Sequence, residues 1–272
     1  MLVARDGASH KRQVSALFDI ELRALRRDRA ARIGPELFLF ERAFADCLER
    51  IELVQRRFQR ALLIGCPAPQ WPQRLQEVAQ EVEVRDPGAL FATGAGGERI
   101  VEDAWEPPAN AFDLVLAIGT LDTVNNLPAA LAALFQSMGG SGLFLGAISG
   151  GDTLPRLRAA MRAADTATGD ASPHVHPRIE AAAVAPLLTQ AGFVNPVVDL
   201  DRVSVSYPSL ARLVDDLRAM GATNVLEARA RKPLSRRAYA AAMAAFAAAG
   251  NGERTTETVE ILHFAAWTPA HG

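Results

Sequence analysis

The sequence predicts an α/β fold with a doubly wound, mostly parallel sheet, and two apolar runs carry this prediction. Residues 112–118 and 143–148 are almost continuously apolar, which is typical of parallel strands buried on both faces. Between them, Asn126 can cap a helix, Pro128 suits its first turn, and Gly139-Gly140 can end it. This strand–helix–strand unit implies a right-handed crossover between parallel strands. Ligands of such sheets bind beyond the carboxyl ends of the strands, so residues 119–126 and 149–153 are candidate site segments.

Upstream of this unit, the patterns predict two helices before the first strand. The expected order is a frayed start at 1–11, helices at 12–32 and 37–57, a strand at 61–66, a short helix at 75–81, a strand at 82–85, a Gly-rich loop at 91–99 and a third strand at 99–101.

Downstream of the unit, helices alternate with two further strands. The expected order is a helix at 154–167, a loop at 168–178, a helix at 182–191, a sixth strand at 197–205, helices after Ser209 and at 235–249, and a last strand at 256–267. Antiparallel pairing of the last strand with the sixth leaves a helical cap at about 207–250. The predicted domains are a helical extension at 1–57 and an α/β domain with this cap at 58–272.

The first helix carries many arginines. Val14, Leu17, Phe18, Leu22 and Leu25 form its apolar stripe, so we expect the arginines at 23, 26, 27, 29 and 32 on its other faces. These arginines form either a solvated surface or a docking arm for an acidic partner or an anionic membrane.

Composition narrows the function classes. The 272 residues are 49% hydrophobic and 22% charged, with a net charge of −2, which gives no overall attraction to nucleic acid. Cys47 and Cys66 have neither disulfide-framework nor metal-site spacing, which suits a reducing compartment. No apolar run reaches the roughly 20 residues of a membrane span, and the start lacks a secretory signal. We therefore expect a cytoplasmic protein without a metal site.

Three positions follow successive strands and point to a nucleoside cofactor. Gly65 ends the first strand at a turn that resembles a cofactor cradle, but Pro67 and Pro69 lack N–H donors there, so a purely structural turn is an equal interpretation. Asp86 ends the second strand, where a carboxylate can accept hydrogen bonds from ribose hydroxyls. Asp-Pro-Gly is also an ordinary turn sequence, which alone would account for this residue. Asp103 follows the third strand and can accept an adenine amine or lie in an exposed acidic loop.

Later polar residues give weaker signals. Asp152 follows the fifth strand and is a candidate catalytic base, or a cap for the next helix. His174 and His176 have no nearby third ligand, so a loop wall is a better interpretation than a metal site.

Several motifs together resemble one family. Phe18-Asp19, Asn126-Leu127-Pro128, Gly150-Gly151-Asp152-Thr153-Leu154, the stretch 172–177 and Asp216-Leu217-Arg218-Ala219-Met220-Gly221 occur in order. This set resembles the complex I assembly factor 5 family, which is related to the malonyl-acyl-carrier methyltransferases of biotin synthesis. The resemblance covers nearly the whole chain and implies a class I S-adenosylmethionine-dependent (SAM-dependent) methyltransferase fold. For the family it also implies arginine hydroxylation on a subunit of respiratory complex I.

The resemblance implies a cofactor site at Gly65, Asp86, Asp103 and Gly119. The chain departs from the family pattern at Leu63, Pro67 and Pro69, and a family Leu-His-Trp-Val-Asn-Asp motif is replaced at residues 121–126. Two hypotheses follow. The chain is a SAM-dependent enzyme acting on a carboxylate or protein side chain, or a weak or cofactor-free binding module that contacts a respiratory subunit and, through its Arg-rich helix, the inner membrane.

Overall fold

The computed structural model describes residues 16–270 and contains one seven-stranded sheet. The strands lie in the order β3-β2-β1-β4-β5-β7-β6, and β7 runs antiparallel to both β5 and β6, whereas the other neighbouring pairs are parallel. Their bounds are β1 Phe58–Ile64, β2 Ala79–Asp86, β3 Glu98–Arg99, β4 Phe112–Ile118, β5 Met138–Ser149, β6 Val194–Tyr207 and β7 Thr255–Trp267. The doubly wound, mostly parallel fold and the antiparallel pairing of the last strand with the sixth are confirmed.

Helices cover both faces of the sheet. Their bounds are α1 Ile20–Ile33, α2 Phe38–Val54, α3 Trp71–Leu75, α4 Ala89–Gly94, α5 Leu127–Ser137, α6 Pro155–Thr168, α7 Ala181–Ala191, α8 Leu210–Ala219 and α9 Arg236–Ala248. One apolar core joins alternate strand residues to α2, α6, α8 and α9, and a second joins the opposite face to α5 and α7. The apolar strands are therefore buried on both sides, as their composition predicted.

The central unit forms largely as predicted. Asn126 caps α5 by accepting a hydrogen bond from the Ala129 backbone N–H at 3.1 Å, and Pro128 lies in the first turn. The predicted end of this helix is wrong, because Gly139 and Gly140 already belong to β5. The helix instead stops at Ser137, whose hydroxyl donates to the Leu134 carbonyl.

Two local predictions around β2 are wrong. Residues 91–99 were expected to form a loop, but Phe91 and Ala92 are buried in α4. The helix predicted at 75–81 ends at Leu75, because Trp71 anchors an earlier turn. The Trp71 indole stacks on the Phe44 ring at 4.3 Å and donates to the Glu41 carboxylate at 2.7 Å.

The first helix buries two arginines that the predicted apolar stripe placed on its outer faces. Arg23 and Arg27 are buried with Ala24 and Ala30, whereas Leu25 is 60% exposed. The prediction that the arginines occupy the outer faces is therefore wrong for these two residues, because buried carboxylates lie beneath them. The frayed start at 1–11, and the predicted helical residues 12–15 with Val14, lie outside the described residues.

The stretch predicted as a helical cap contains α8 and α9, which lie between β6 and β7. Ser209 caps α8 and Ser235 caps α9, each by accepting a backbone hydrogen bond. The division into domains at residue 57 stays a prediction.

Candidate functional site

The candidate site lies where β1, β2, β4 and β5 end. A cavity of about 120 Å³ opens beside Gly119, between α2, the ends of β4 and β5, and the loop after α8. Its walls are mainly apolar, and the guanidinium-bearing residues that line it are Arg23, Arg27 and Arg178. Among the predicted site residues, Gly119 lines this cavity, whereas Gly65, Asp86, Asp103 and Asp152 do not.

Gly65 forms the turn after β1 in a conformation that only glycine adopts easily. Its φ is +82°, and a Cβ there would lie 2.2 Å from the Ile118 carbonyl oxygen. Close packing of β1 against β4 therefore requires this glycine. The next N–H, that of Cys66, donates to Asp86 at 2.9 Å, and Pro67 has no N–H to offer a ligand.

Asp86 is fully buried and its carboxylate is saturated with hydrogen bonds. Arg27 donates to it through Nε at 2.7 Å and through a terminal nitrogen at 2.6 Å. The backbone N–H groups of Cys66 and Gly88 donate at 2.9 and 2.7 Å. A carboxylate has about four acceptor positions, so none remains for a ribose hydroxyl. Burial opposes the Arg27 charge, but Asp86 outweighs it and raises the Arg27 pKa.

The fold makes room for this arginine. A Cβ on Gly88 would lie 2.7 Å from the Arg27 Cβ, and one on Gly221 would lie 3.1 Å from the Arg27 Cα. The guanidinium also lies over the Phe91 ring at 5.2 Å. Arg27 is therefore an integral part of this corner of the sheet.

Glu102 forms a second buried ion pair, which the sequence pattern did not reveal. Both oxygens of Glu102 accept from Arg23 at 2.8 Å, and Arg23 also donates to the Thr120 carbonyl at 2.7 Å. The neighbouring Asp103 accepts from the Asn126 N–H at 2.8 Å, which makes it a cap beside α5. Arg23 and Arg27 lie one helical turn apart on the same face, where like charges repel. This spacing is a signal that each arginine needs a carboxylate partner, and it could have drawn attention to Glu102.

Gly119 follows β4 with a φ of +62°. A Cβ there would lie 2.8 Å from the Phe40 ring, so glycine lets α2 approach the end of the strand. Nearby, the Asn125 side chain binds both the N–H and the carbonyl of Phe18, at 2.8 and 3.0 Å. These contacts tie the segment just before α1 to the loop that follows β4.

Asp152 is exposed, and its own N–H donates to Glu260 at 3.0 Å. The expectation that it caps the next helix is wrong, because Glu257 on β7 takes that place. Glu257 is fully buried and accepts from the Leu157 N–H at 2.5 Å. Burial raises the pKa of Glu257 despite these bonds.

The two histidines have different environments. His176 lines the cavity, and its Nε2 accepts from the Val225 N–H at 2.9 Å. Burial and the nearby charge of Arg178 lower the pKa of His176 to about 4, so the ring is neutral at pH 7. His174 pairs with Asp165 at 2.8 Å outside the cavity. Within residues 16–270, no cluster of three or more His, Cys, Asp or Glu residues could hold a metal ion.

These residues do not fit a bound SAM nucleoside in the expected position. The acid that should accept the ribose is saturated by Arg27, and the turn after β1 carries prolines. The cavity of about 120 Å³ is also smaller than the roughly 300–1,000 Å³ of usual ligand pockets.

Comparison with known proteins identifies the relatives of this chain. The zebrafish mitochondrial arginine-hydroxylase NDUFAF5 is 30% identical over 273 residues, which cover 95% of this chain and 84% of that protein. The chain belongs to the NDUFAF5 family. The predicted resemblance is thereby confirmed.

Other relatives agree with this assignment. Rat NDUFAF5 is 31% identical over 76% of this chain, but the match covers only 64% of that protein, less than two thirds. A malonyl-[acyl-carrier protein] O-methyltransferase of Xylella fastidiosa is 33% identical over 60% of this chain and 54% of its own length. No family model matches the sequence.

Solved structures agree on the fold. The YcgJ protein of Bacillus subtilis superposes with a TM-score of 0.58 at 9% identity, over 85% of this chain and 100% of that one. A Bacillus halodurans protein assigned to the methyltransferases gives 0.52 at 10% identity, over 82% of this chain and 99% of that one. This NDUFAF5-family chain therefore has the class I SAM-methyltransferase fold. Within residues 16–270, no helix is long and apolar enough to cross a bilayer.

Proposed function

We propose that this NDUFAF5-family chain is an assembly factor for respiratory complex I that works by binding a protein partner, without SAM at Asp86. The observation that carries this proposal is the bidentate Arg27–Asp86 pair, which is almost inaccessible to solvent. A ribose would have to displace a buried guanidinium that is already neutralised. The free energy needed to break such a pair is about 3–5 kcal/mol, a large part of what a nucleoside cofactor gains on binding.

Calorimetric titration with SAM and with S-adenosylhomocysteine tests this proposal. We expect no binding at micromolar ligand in the wild-type chain. Micromolar binding that is lost in Asp86→Asn would contradict it, because that result would make Asp86 a working ribose acceptor. Arg218→Gln is the matched control, since this arginine forms an exposed ion pair with Asp215.

The proposed partner surface is the outer face of α1. Arg29 and Arg32 are exposed there beside Leu25 and Ile33, which are 60% and 54% exposed. Such a mixed basic and apolar face suits an acidic protein partner at the inner membrane. A protein that stayed in the cytoplasm away from membranes would not need this face. Capture of complex I subunits should fall when Arg29 and Arg32 are both changed to Glu. Capture that is unchanged by this double variant would contradict the surface assignment.

A second function, SAM-dependent group transfer or arginine modification on a protein, is favoured by the open cavity beside Gly119. The zebrafish relative is named an arginine-hydroxylase. In this chain the cavity lies at the strand ends, where α/β enzymes bind their ligands. Product analysis by mass spectrometry separates the two functions when the purified partner subunit is incubated with SAM, and in parallel with dioxygen and a reductant, because hydroxylation consumes an oxidant. A partner arginine that gains the mass of oxygen or of a methyl group would establish catalysis.

A further inference from the structure

The cavity beside Gly119 combines apolar walls with an arginine that is incompletely paired. Phe40, Ile118, Ile148, Met220 and Val225 supply much of its surface. Arg178 lines the same cavity with a side chain that is only 7% exposed. Its Nε is buried and has no hydrogen-bond partner among the described residues. Buried polar atoms are nearly always paired, so an unpaired guanidinium nitrogen needs an explanation.

A carboxylate and a second guanidinium lie near Arg178. Asp122 is its ion-pair partner. Arg158 lies close by, but its guanidinium donates only to the carbonyl oxygens of Thr153 and His176, at 3.3 and 2.9 Å. Burial and the neighbouring Arg178 charge lower the pKa of Arg158, whereas the carboxylates of Asp152 and Glu257 partly offset this effect. The Arg178 guanidinium therefore has Asp122 as its ion-pair partner and a second cation nearby.

The other arginines that line the cavity are paired. Arg23 and Arg27 are each neutralised by a bidentate buried carboxylate. Among the described arginines of the cavity, the unpaired donor thus lies on Arg178.

We propose that this cavity binds a small organic carboxylate, whose head accepts a hydrogen bond from Arg178 and whose compact apolar body fills the space beside Gly119. An engineered apolar cavity of about 150 Å³ holds benzene, so about 120 Å³ suits an apolar body of roughly six heavy atoms. An anion supplies the missing acceptor, and a hydrogen bond from a guanidinium to an anion is stronger than one to a neutral group. This site does not depend on the absence of SAM from Asp86.

Benzoate is the probe, and benzamide is its neutral counterpart of nearly the same shape. Binding to the full chain is measured by ligand-detected NMR titration, because ligands of this size bind weakly. We expect benzoate to bind at least about tenfold more tightly than benzamide, the ratio that one charge-assisted hydrogen bond provides. Equal affinities of the two probes, or no benzoate binding at millimolar concentration, would overturn the proposal.

Two variants locate the site. Thr123 lines the cavity, and Thr123→Trp should fill it and abolish benzoate binding. The double variant Arg178→Gln with Asp122→Asn removes the charge without leaving either partner unpaired, and it should lower the benzoate affinity about tenfold while leaving benzamide unchanged. Arg231→Gln, at an exposed ion pair with Glu227, is the matched control and should bind benzoate as the wild type does. Benzoate binding that survives both cavity variants would place the ligand elsewhere and refute the assignment, and the comparison of probes on the wild-type chain needs no variant to fold.

Discussion

At the scale of single residues, the decisive feature is that two acids near the strand ends are occupied by the chain's own arginines. Asp86 and Glu102 lie in the region where the sequence predicted a cofactor, but Arg27 and Arg23 reach them from 59 and 79 residues away. A pattern along the chain predicts where a strand ends, because strand and turn residues are local signals. It does not predict which distant cation meets the acid that follows.

Removal of Arg27 alone should be strongly destabilising. Arg27→Met leaves Asp86 buried without its cation, and we expect the free energy of unfolding to fall by about 3–5 kcal/mol. Adding Asp86→Asn should restore part of that loss, because it removes the unpaired charge and its amide oxygen still accepts from one of the Cys66 and Gly88 N–H groups, which donate to different Asp86 oxygens. Urea unfolding measures both variants. A loss below about 1 kcal/mol, as expected for the exposed Arg218–Asp215 pair, would mean that the buried pair contributes little.

His176 should make stability depend on pH. Its pKa is lowered to about 4, whereas an unfolded histidine titrates near 6.5, so between these values only the unfolded chain binds the proton. The folded state therefore loses stability as the pH falls from about 7 to 4, by up to about 3 kcal/mol.

The variant His176→Gln isolates this effect, because glutamine stays neutral and can still accept from the Val225 N–H. We expect the difference in unfolding free energy between wild type and variant to shift by about 2 kcal/mol between pH 7 and pH 5. Parallel urea curves at both pH values measure it. Identical pH profiles would show that His176 is not buried as a neutral ring.

At the scale of elements, the sequence predicted those whose local signals agree with their surroundings. The unit β4–α5–β5 has apolar strands, a capping Asn126 and an early Pro128, and it forms with nearly the predicted limits. The orientation of helix α1 was predicted wrongly, because Leu22 and Leu25 are more hydrophobic than its buried alanines and so dominate the apolar stripe. The ion pairs of two buried guanidinium groups outweigh the apolar pattern. Their carboxylate partners lie far along the chain, so a local rule cannot identify them.

The inverted orientation of α1 predicts unequal effects of two substitutions. Leu25→Gln changes an exposed side chain, and we expect the unfolding free energy to change by less than about 0.5 kcal/mol. Ala30→Leu adds volume at a position with no exposed surface, and we expect a loss of about 1–3 kcal/mol. Thermal unfolding of both variants measures the contrast. A larger loss for Leu25→Gln than for Ala30→Leu would favour the helix orientation that the sequence alone suggested.

At the scale of the whole molecule, helix α2 of the predicted extension shares the core of the sheet. Phe44, Cys47 and Ile51 of α2 belong to the same buried cluster as Leu63 and Leu116 of the central strands. Helix α1 adds the two ion pairs at the strand ends. The sequence predicted these helices from their apolar stripes, but a stripe does not show which surface it covers, and the division into domains at residue 57 stays a prediction.

Two truncations should therefore destabilise the molecule to different extents. A fragment of residues 35–272 loses α1, so Asp86 and Glu102 become charges without cations. A fragment of residues 58–272 also loses α2 and exposes one side of the sheet, including the face beneath Phe44. Since buried side chains of this size each contribute about 1.5–3 kcal/mol, we expect the shorter fragment to lack a cooperative thermal transition and the longer one to melt well below the intact chain. Circular dichroism during heating measures all three chains. A cooperative transition of 58–272 close to that of the intact chain would establish the extension as a separate domain.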